Sequence, residues 1–425
     1  MICNIFKISK MKYIYLLTFL GLSFFFEYTF AQTIPQWEKG YLDIHQISTG
    51  NGNASFVILP DGTTILIDLG DLNKVSFEKR HAPMKVSPNL PNSSYSTGQV
   101  VKNYMDKVYG KKLNSKDYFI LTHYHSDHYG DVRGDSRKSE QGGYYQTGIT
   151  ELGDMVDIRN FVVRGYPKKE DAIFKNCLAY EMDNYHNLLN FIEYQKKEKG
   201  MKVKCVKAGA KNQIKPLYDS IPQFQIRNIK ANNLVWNGFE ENAKAIFPYG
   251  KFNGPEQFEN LLSTAFVIQY GNFRYYFGGD NTGLNDQDHS AWEDCESSMA
   301  EVVGQVEAMM LNHHGNRDAT NRKFLEKLDP QVVLMPVWCS DQPGAEVAMR
   351  LISPNVGTRK RSIFMTYFHP ETTIAIGPWF EKKVASKQGH VAIRVAPDGK
   401  YRVYVLKDTD LTLDVLSSYT FTSKQ

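Results

Sequence analysis

From Tyr41 onward apolar and polar residues alternate at the period of a strand. Tyr41-Leu42-Asp43-Ile44-His45-Gln46-Ile47 is one such segment, and Ala54-Ser55-Phe56-Val57-Ile58-Leu59 follows the turn Gly50-Asn51-Gly52-Asn53. Pro60-Asp61-Gly62 is a hairpin signal. Thr64-Ile65-Leu66-Ile67-Asp68 then runs into Leu69-Gly70-Asp71. The pattern predicts a β-meander whose last strand ends in a carboxylate beside a glycine. Residues 98–109 read as a helix, and Tyr118-Phe119-Ile120-Leu121 is the next strand.

From about Asp131 to Glu259 the pattern changes. Gly142, Gly143, Tyr144 and Tyr145 predict a mobile loop that borders the chemistry described below. Phe161-Val162-Val163 reads as a strand, and residues 178–199 read as a helix with Leu188, Leu189, Phe191 and Ile192 on one side. Further strands are expected at 201–206 and 224–229. The last third returns to alternation. Residues 263–270 and 273–277 predict a hairpin around Gly271-Asn272, ending in Gly278-Gly279-Asp280. A helix is expected over 292–304 and a short strand over 308–311, leading to Asn312-His313-His314-Gly315. Residues 331–337 form another strand, and 390–397 with 401–406 close the chain as a hairpin around Asp398-Gly399.

The N-terminus changes the domain picture. Lys7, Lys10 and Lys12 precede an apolar run from Tyr13 to Phe26, and Thr29-Phe30-Ala31 is a small-residue cleavage site before Gln32. Met11 would serve equally well as the start. The run is shorter than the ~20 residues a spanning helix needs, and Glu27 follows it at once. Residues 1–31 therefore read as a signal peptide, and the protein as exported, periplasmic or extracellular after cleavage near Ala31. Residues 33–425 read as one domain, with 131–259 an elaboration inside it.

With 425 residues, 42% hydrophobic and 23% charged, the chain can bury a large core. Its formal charge of +4 gives no strong electrostatic case for nucleic acid or an anionic membrane, and leaves a small phosphorylated substrate open. Cys3 falls in the signal segment, leaving Cys177, Cys205, Cys295 and Cys339, with three possible pairings. Cys177 and Cys205 flank one helical segment and are the favoured pair. No CxxC is present, which argues against a cysteine metal site or a redox role.

The chemistry lies in Leu121-Thr122-His123-Tyr124-His125-Ser126-Asp127-His128, directly after an apolar strand. Three imidazoles and a carboxylate on one loop form a ligand set for zinc and related divalent ions. Asp280 and the His313-His314 pair follow later strands and add further ligands. Ser126, inside the loop, reads as a small loop residue. Tyr124, Tyr129, Tyr144, Tyr145 and Trp338 lie near these loops in sequence and read as core or rim before they read as a stacking platform.

This set resembles the metallo-β-lactamase fold superfamily, whose signature is H-x-H-x-D-H. Within it the chain is most similar to the metallo-hydrolase domain of bacterial DNA-uptake (competence) channels. Thr49-Gly50-Asn51-Gly52-Asn53-Ala54, Ile65 to Gly70, Asn260-Leu261-Leu262-Ser263, Gly279-Asp280 and His313-His314-Gly315 carry that likeness. The resemblance implies an α/β fold, a four-layer αβ/βα sandwich of two mixed sheets with helices outside. It implies that His123 and His125 bind a first metal, that Asp127 and His128 bind a second, and that Asp280 bridges both. His314, or alternatively His313, completes the second metal. Asp127 also orients the attacking water. Asp68 either orients the histidine loop or is only a strand-end turn carboxylate. Many members carry a further histidine where this chain has Asn260 to Ser263. His289, His369 and His390 are candidates to replace it, whereas His186 reads as exposed or packing and His45 has no assigned role.

Two divalent ions, zinc with manganese or iron as alternatives, can share a hydroxide at neutral pH and hold the oxygens of an attacked phosphorus or carbonyl group. The resulting expectation is a secreted dinuclear hydrolase of a phosphodiester or related ester, with a small-molecule or phosphodiester substrate. The alternatives are a β-lactamase or lactonase and a non-catalytic metal-binding or sensing protein on the same fold.

Overall fold

The computed structural model describes residues 32–166, 181–247, 257–283 and 293–424. Residues 1–31, read above as an export signal, lie outside them, as do Cys177 and His289.

Strands β1 (Leu42–Gln46), β2 (Ala54–Ile58), β3 (Thr64–Leu69), β4 (Ser115–Leu121), β5 (Asp157–Val163) and β6 (Lys202–Cys205) come from the first half. They join β15 (His390–Val395), β16 (Lys400–Leu406) and β17 (Val415–Thr422) in one sheet, ordered β17-β16-β15-β1-β2-β3-β4-β5-β6. The second sheet holds β7 (Phe224–Ala231), β8 (Leu234–Trp236), β9 (Ala243–Ala245), β10 (Ala265–Tyr270), β11 (Phe273–Gly278), β12 (Ala308–Met310), β13 (Val332–Met335) and β14 (Ser362–Met365). Its order is β14-β13-β12-β11-β10-β7-β8-β9. The 131–259 interval thus supplies strands to both sheets.

Side chains alternate across each strand, so each sheet feeds two cores. Tyr118 and Ile120 of β4 meet Phe266, Phe277 and Leu334 of the other sheet in a shared apolar layer. Phe119 and Leu121, one residue out of phase, pack on the outer helices α2 (Thr97–Tyr109), α4 (Gly148–Met155) and α5 (Met182–Lys199) through Tyr104, Ile149 and Phe191. On the far side, Tyr276, Met309 and Val333 pack on α7 (Cys295–Val303), α8 (Arg322–Leu328) and α9 (Ala345–Ile352). Of the remaining helices, α1 (Lys74–Arg80) and α3 (Ser126–Tyr129) precede this set, and α6 (Gln257–Leu261) lies just before β10. The result is the four-layer αβ/βα sandwich.

Helix α2 shows how local sequence sets a boundary. Ser96 and Gln99 form a reciprocal capping box at its start, and Gly110 ends it in the left-handed region. This helix connects β3 to β4, which pair in parallel, as do β4 and β5. Their C-terminal ends therefore open onto one edge. In the second sheet β11, β12 and β13 are also parallel neighbours.

One expectation needs correction and another lies outside the described residues. Cys205, Cys295 and Cys339 are free thiols among the described residues, and the Cys177–Cys205 pairing falls outside them with Cys177. The Gly142–Tyr145 stretch is not an open loop at the chemistry. Tyr144 is fully buried in the core against Phe191, and its hydroxyl donates to Asp154 at 2.5 Å.

Candidate metal centre

Asp68 ends β3 at φ +57° and organises the histidine loop. Its Oδ1 accepts the Thr122 N–H at 2.8 Å. Its Oδ2 accepts from the Thr122 hydroxyl at 2.9 Å, the Asn53 amide at 3.0 Å and His128 Nδ1 at 2.8 Å. The turn carboxylate and the orienting group are thus one residue. The loop then enters α3, and the Asp127 carbonyl accepts the Asn53 N–H at 2.8 Å. Two glycines make that approach possible. A β-carbon at Gly70 would lie 1.9 Å from the Asp127 carbonyl oxygen, and one at Gly52 would lie 2.2 Å away.

His313 and His314 follow β12 as two consecutive left-handed residues, at φ +46° and +55°. Such conformations cost of order 1 kcal/mol or more each and mark a functional constraint. Here they turn both imidazoles toward Asp280, which leaves β11 through Gly279.

One oxygen is the hub. Asp280 Oδ2 lies 3.2 Å from His128 Nε2, 3.4 Å from His314 Nε2, 3.7 Å from His123 Nε2 and 3.9 Å from His313 Nε2. Asp127 Oδ2 lies 3.1 Å from His314 Nε2 and 3.4 Å from His128 Nε2. His125 Nδ1 lies 3.0 Å from His123 Nε2. The donor atoms of Asp127, His128, Asp280 and His314 all lie within 4.8 Å of one another, as do those of His123, His125 and Asp280. Asp280 belongs to both groups.

The opposite ring nitrogens are spoken for. His128 Nδ1 faces Asp68, His314 Nδ1 the Pro336 carbonyl at 3.1 Å, His313 Nδ1 the Asp318 carboxylate at 2.6 Å, and His123 Nδ1 the Thr122 hydroxyl at 3.1 Å. Each outer partner accepts a proton from Nδ1 and so leaves the Nε2 lone pair pointing inward, as around a metal. Burial pushes the Asp280 carboxyl up, but His128, His314 and His123 outweigh it and hold it well below the usual carboxylate range. Burial, reinforced by His128, holds His123 well below the ordinary histidine value and keeps it neutral. The Asp280 and Asp127 charges outweigh burial at His128 and His314 and raise both, so without an ion their Nε2 protons face the carboxylates; a divalent cation would displace those protons, and it is what this donor set fits.

All the sequence-predicted ligands therefore share one centre, and His313, the alternative to His314, reaches its edge. Among the described residues, His45, His186, His369 and His390 belong to neither donor group. His369 Nε2 pairs with the Ser87 hydroxyl at 2.9 Å. His390 Nδ1 accepts the Ser48 N–H at 2.9 Å in the core of the first sheet, where His45 lies beside Tyr104. Neither is in a donor group, so neither takes the place of the further histidine that the resemblance leads one to expect. His186 is exposed on α5.

The centre opens into a cleft of about 550 Å³ lined by Phe77, Arg80, His125, His313, Asp318 and Trp338, among others. Of the five aromatics near the loops in sequence, Trp338 alone lines it, while Tyr124, Tyr129 and Tyr144 are core. Residues 142–147 do not border this cleft.

Sequence reasoning missed Thr122, Asp318, Arg164 and Glu259. Glu259 Oε1 accepts the N–H of Tyr124, the residue between His123 and His125, at 2.7 Å. Arg164, directly after β5, holds both oxygens of Glu259, at 2.7 and 2.6 Å. The available signal was position: Glu259 directly precedes the Asn260–Ser263 segment where a histidine was absent.

No protein-family description matches the sequence, and no curated protein matches it. Among solved structures the chain is similar to a CmlA beta-hydroxylase mutant, at 12% identity and TM-score 0.37, covering 75% of this chain and 52% of that one. The chain thus spans about half the length of that relative. It is also similar to Tm1679, a metal-dependent hydrolase of the beta-lactamase superfamily, at 12% identity and TM-score 0.32, over 77% of this chain and 96% of that one. A third is Zn(2+)-bound PqqB from Methylobacterium extorquens, at 7% identity and TM-score 0.30, over 69% and 87%.

Proposed function

We propose that the protein is an exported hydrolase that uses two divalent ions, zinc or else manganese or iron, to cleave a phosphodiester or related ester. The observation that carries this reading is the inward-facing set of Nε2 atoms gathered on Asp280 Oδ2. His123 and His125 would hold the first ion, Asp127, His128 and His314 the second, and Asp280 both. Such ions supply Lewis-acid polarisation of the attacked group and a water nucleophile at neutral pH.

The chain's own groups do the rest. Asp127 lines the cleft. Burial pushes its carboxyl up, yet His128 and His314 hold it well below the usual range, so it stays an anion. It orients the attacking water and accepts its hydrogen bond. Asp68 keeps the His128 proton on Nδ1. The likeness to competence-channel hydrolase domains and the export signal over 1–31 belong to the same proposal.

The test is elemental analysis of purified mature protein, followed by hydrolysis of bis(p-nitrophenyl) phosphate, nitrocefin and a simple lactone. About two ions per chain with phosphodiester turnover is the expected result. Preference for nitrocefin or the lactone moves the reading to a β-lactamase or lactonase. Bound metal without turnover of any of them points to a binding or sensing protein, and no bound metal after refilling overturns the reading. A mature N-terminus that does not begin near Gln32 would overturn export by cleavage.

A further inference from the structure

The Arg164–Glu259 pair is buried, with side chains 1% and 0% exposed. Breaking one partner of such a pair is costly, and an apolar pair would fill the same space at least as well for stability alone. Its contacts point to a further use. The pair stands at the site edge, where Arg164 follows β5 of the first sheet and Glu259 sits on α6, just before β10 of the second. Arg164 also exchanges hydrogen bonds with Asn232, at the turn between β7 and β8: Nη1 donates to Asn232 Oδ1 at 3.1 Å, and the Arg164 carbonyl accepts from Asn232 Nδ2 at 2.8 Å. The guanidinium carbon lies 4.8 Å from the Tyr124 ring centroid. Glu259 Oε1 accepts both Arg164 Nε and the Tyr124 N–H. Two residues before Tyr124, the Thr122 carbonyl accepts the Thr264 N–H at 3.1 Å. The segment around 259–264 therefore grips the backbone on which His123 and His125 are mounted.

From this geometry we infer that Glu259, held by Arg164, is a positioning residue that fixes the His123–His125 pair for the first metal ion. The inference rests on the two-ion reading above. It acts through the backbone, so it touches one metal position and not the other: His128 is oriented by Asp68 and His314 by the Pro336 carbonyl.

The test uses the full mature chain, stripped by chelator and titrated with Co²⁺ by absorption spectroscopy and calorimetry. His125→Ala and His314→Ala assign the two binding steps. The double variant Arg164→Met with Glu259→Leu removes the buried pair without stranding a charge, and removes the acceptor for Tyr124 N–H. Its first-ion affinity should fall about tenfold or more, with a changed Co²⁺ spectrum, while the second step stays within about threefold. Arg164→Met with Glu259→Gln restores an uncharged acceptor and should return the first step to near wild type. Equal weakening of both steps, no weakening of either, or no rescue by glutamine overturns the inference. Amide hydrogen exchange on the wild-type protein gives an arm independent of any variant's folding. The Tyr124 amide should remain protected in the metal-free chain, and rapid exchange there overturns the proposal. A wild-type chain that binds no Co²⁺ sinks the two-ion reading, whereas two bound ions with unaltered variants sink only this one.

Discussion

Asp280 concentrates the centre in one atom. Its Oδ2 stands against the Nε2 atoms of His128, His314, His123 and His313. Asp280→Asn replaces a carboxylate by an amide whose NH₂ cannot ligate, so bound metal should fall from about two ions to below one per chain after dialysis. His125→Ala should cost one ion, because His125 belongs to one group only. Elemental analysis reads both, and full occupancy in either variant would sink the assignment. Asp68 gives a second case. Its Oδ2 accepts three hydrogen bonds, from His128, Thr122 and Asn53. Asp68→Asn presents donors to donors, so metal affinity should drop about 10- to 100-fold and stability by roughly 1–3 kcal/mol. A competitive chelator titration and a urea melt measure the two effects, and an unchanged affinity would return Asp68 to a plain turn residue.

Among the elements, what was legible depended on whether a segment's pattern matched its final surroundings. The histidine run, Asp280 and His313-His314 could be grouped because each follows a short apolar strand and ends in side chains that a core cannot use unpaired. Strand β1 misled in part. Its Asp43 and His45 alternate as a solvent face would, yet both are buried: Arg394 of β15 binds Asp43 and Tyr104 of α2 bonds His45. Strand β17 was not read at all, since Ser417, Ser418 and Thr420 mute its alternation, and only pairing with β16 defines it. Glu259 was invisible for the same reason: its value lies in Arg164, 95 residues away. The β3 end shows an element whose sequence and packing agree. Gly70 presses on the Asp127 carbonyl, where a β-carbon would meet backbone at 1.9 Å. Gly70→Ala must push α3 away from Asp280. It should destabilise the fold by about 1–3 kcal/mol and lower occupancy of the second ion. Thermal melts with and without chelator test this, and an unaltered melt would mean that the loop yields freely.

The protein carries a second buried histidine cluster, outside both donor groups, and it should make the fold sensitive to acid. His45 and His390 flank the Tyr104 ring at centroid distances of 5.5 and 4.8 Å inside the first sheet's core. Burial, with Arg394 and His390 nearby, pushes His45 down to about 3, and burial alone pushes His390 down to about 3. The groups facing them are Asp43, bound by Arg394 through both oxygens at 2.9 and 2.6 Å, and the Tyr104 phenol, which burial raises well above its ordinary value. Asp43 Oδ2 lies 4.0 Å from His45 Nε2, but its charge is already matched by Arg394. Both histidines bind protons more weakly folded than unfolded. Their contribution to stability is therefore complete above the unfolded value near 6.5 and drains away as the pH falls from there toward 3. At about pH 5 the two together should cost a few kcal/mol, on the order of 1.4 kcal/mol per unit of pH per group. In the metal-free chain His128 and His314 work in the opposite sense, because the Asp280 and Asp127 charges outweigh burial and raise them. The effect must therefore be read as a difference. His390→Gln supplies an acceptor for the Ser48 N–H without a titratable ring. Urea midpoints at about pH 7.5 and pH 5 should lie closer together in that variant than in wild type, by roughly 1–2 kcal/mol of stability for this one histidine. Equal gaps in the two proteins would show that the core accommodates the charged ring, and the acid response would then have to come from elsewhere in the sandwich.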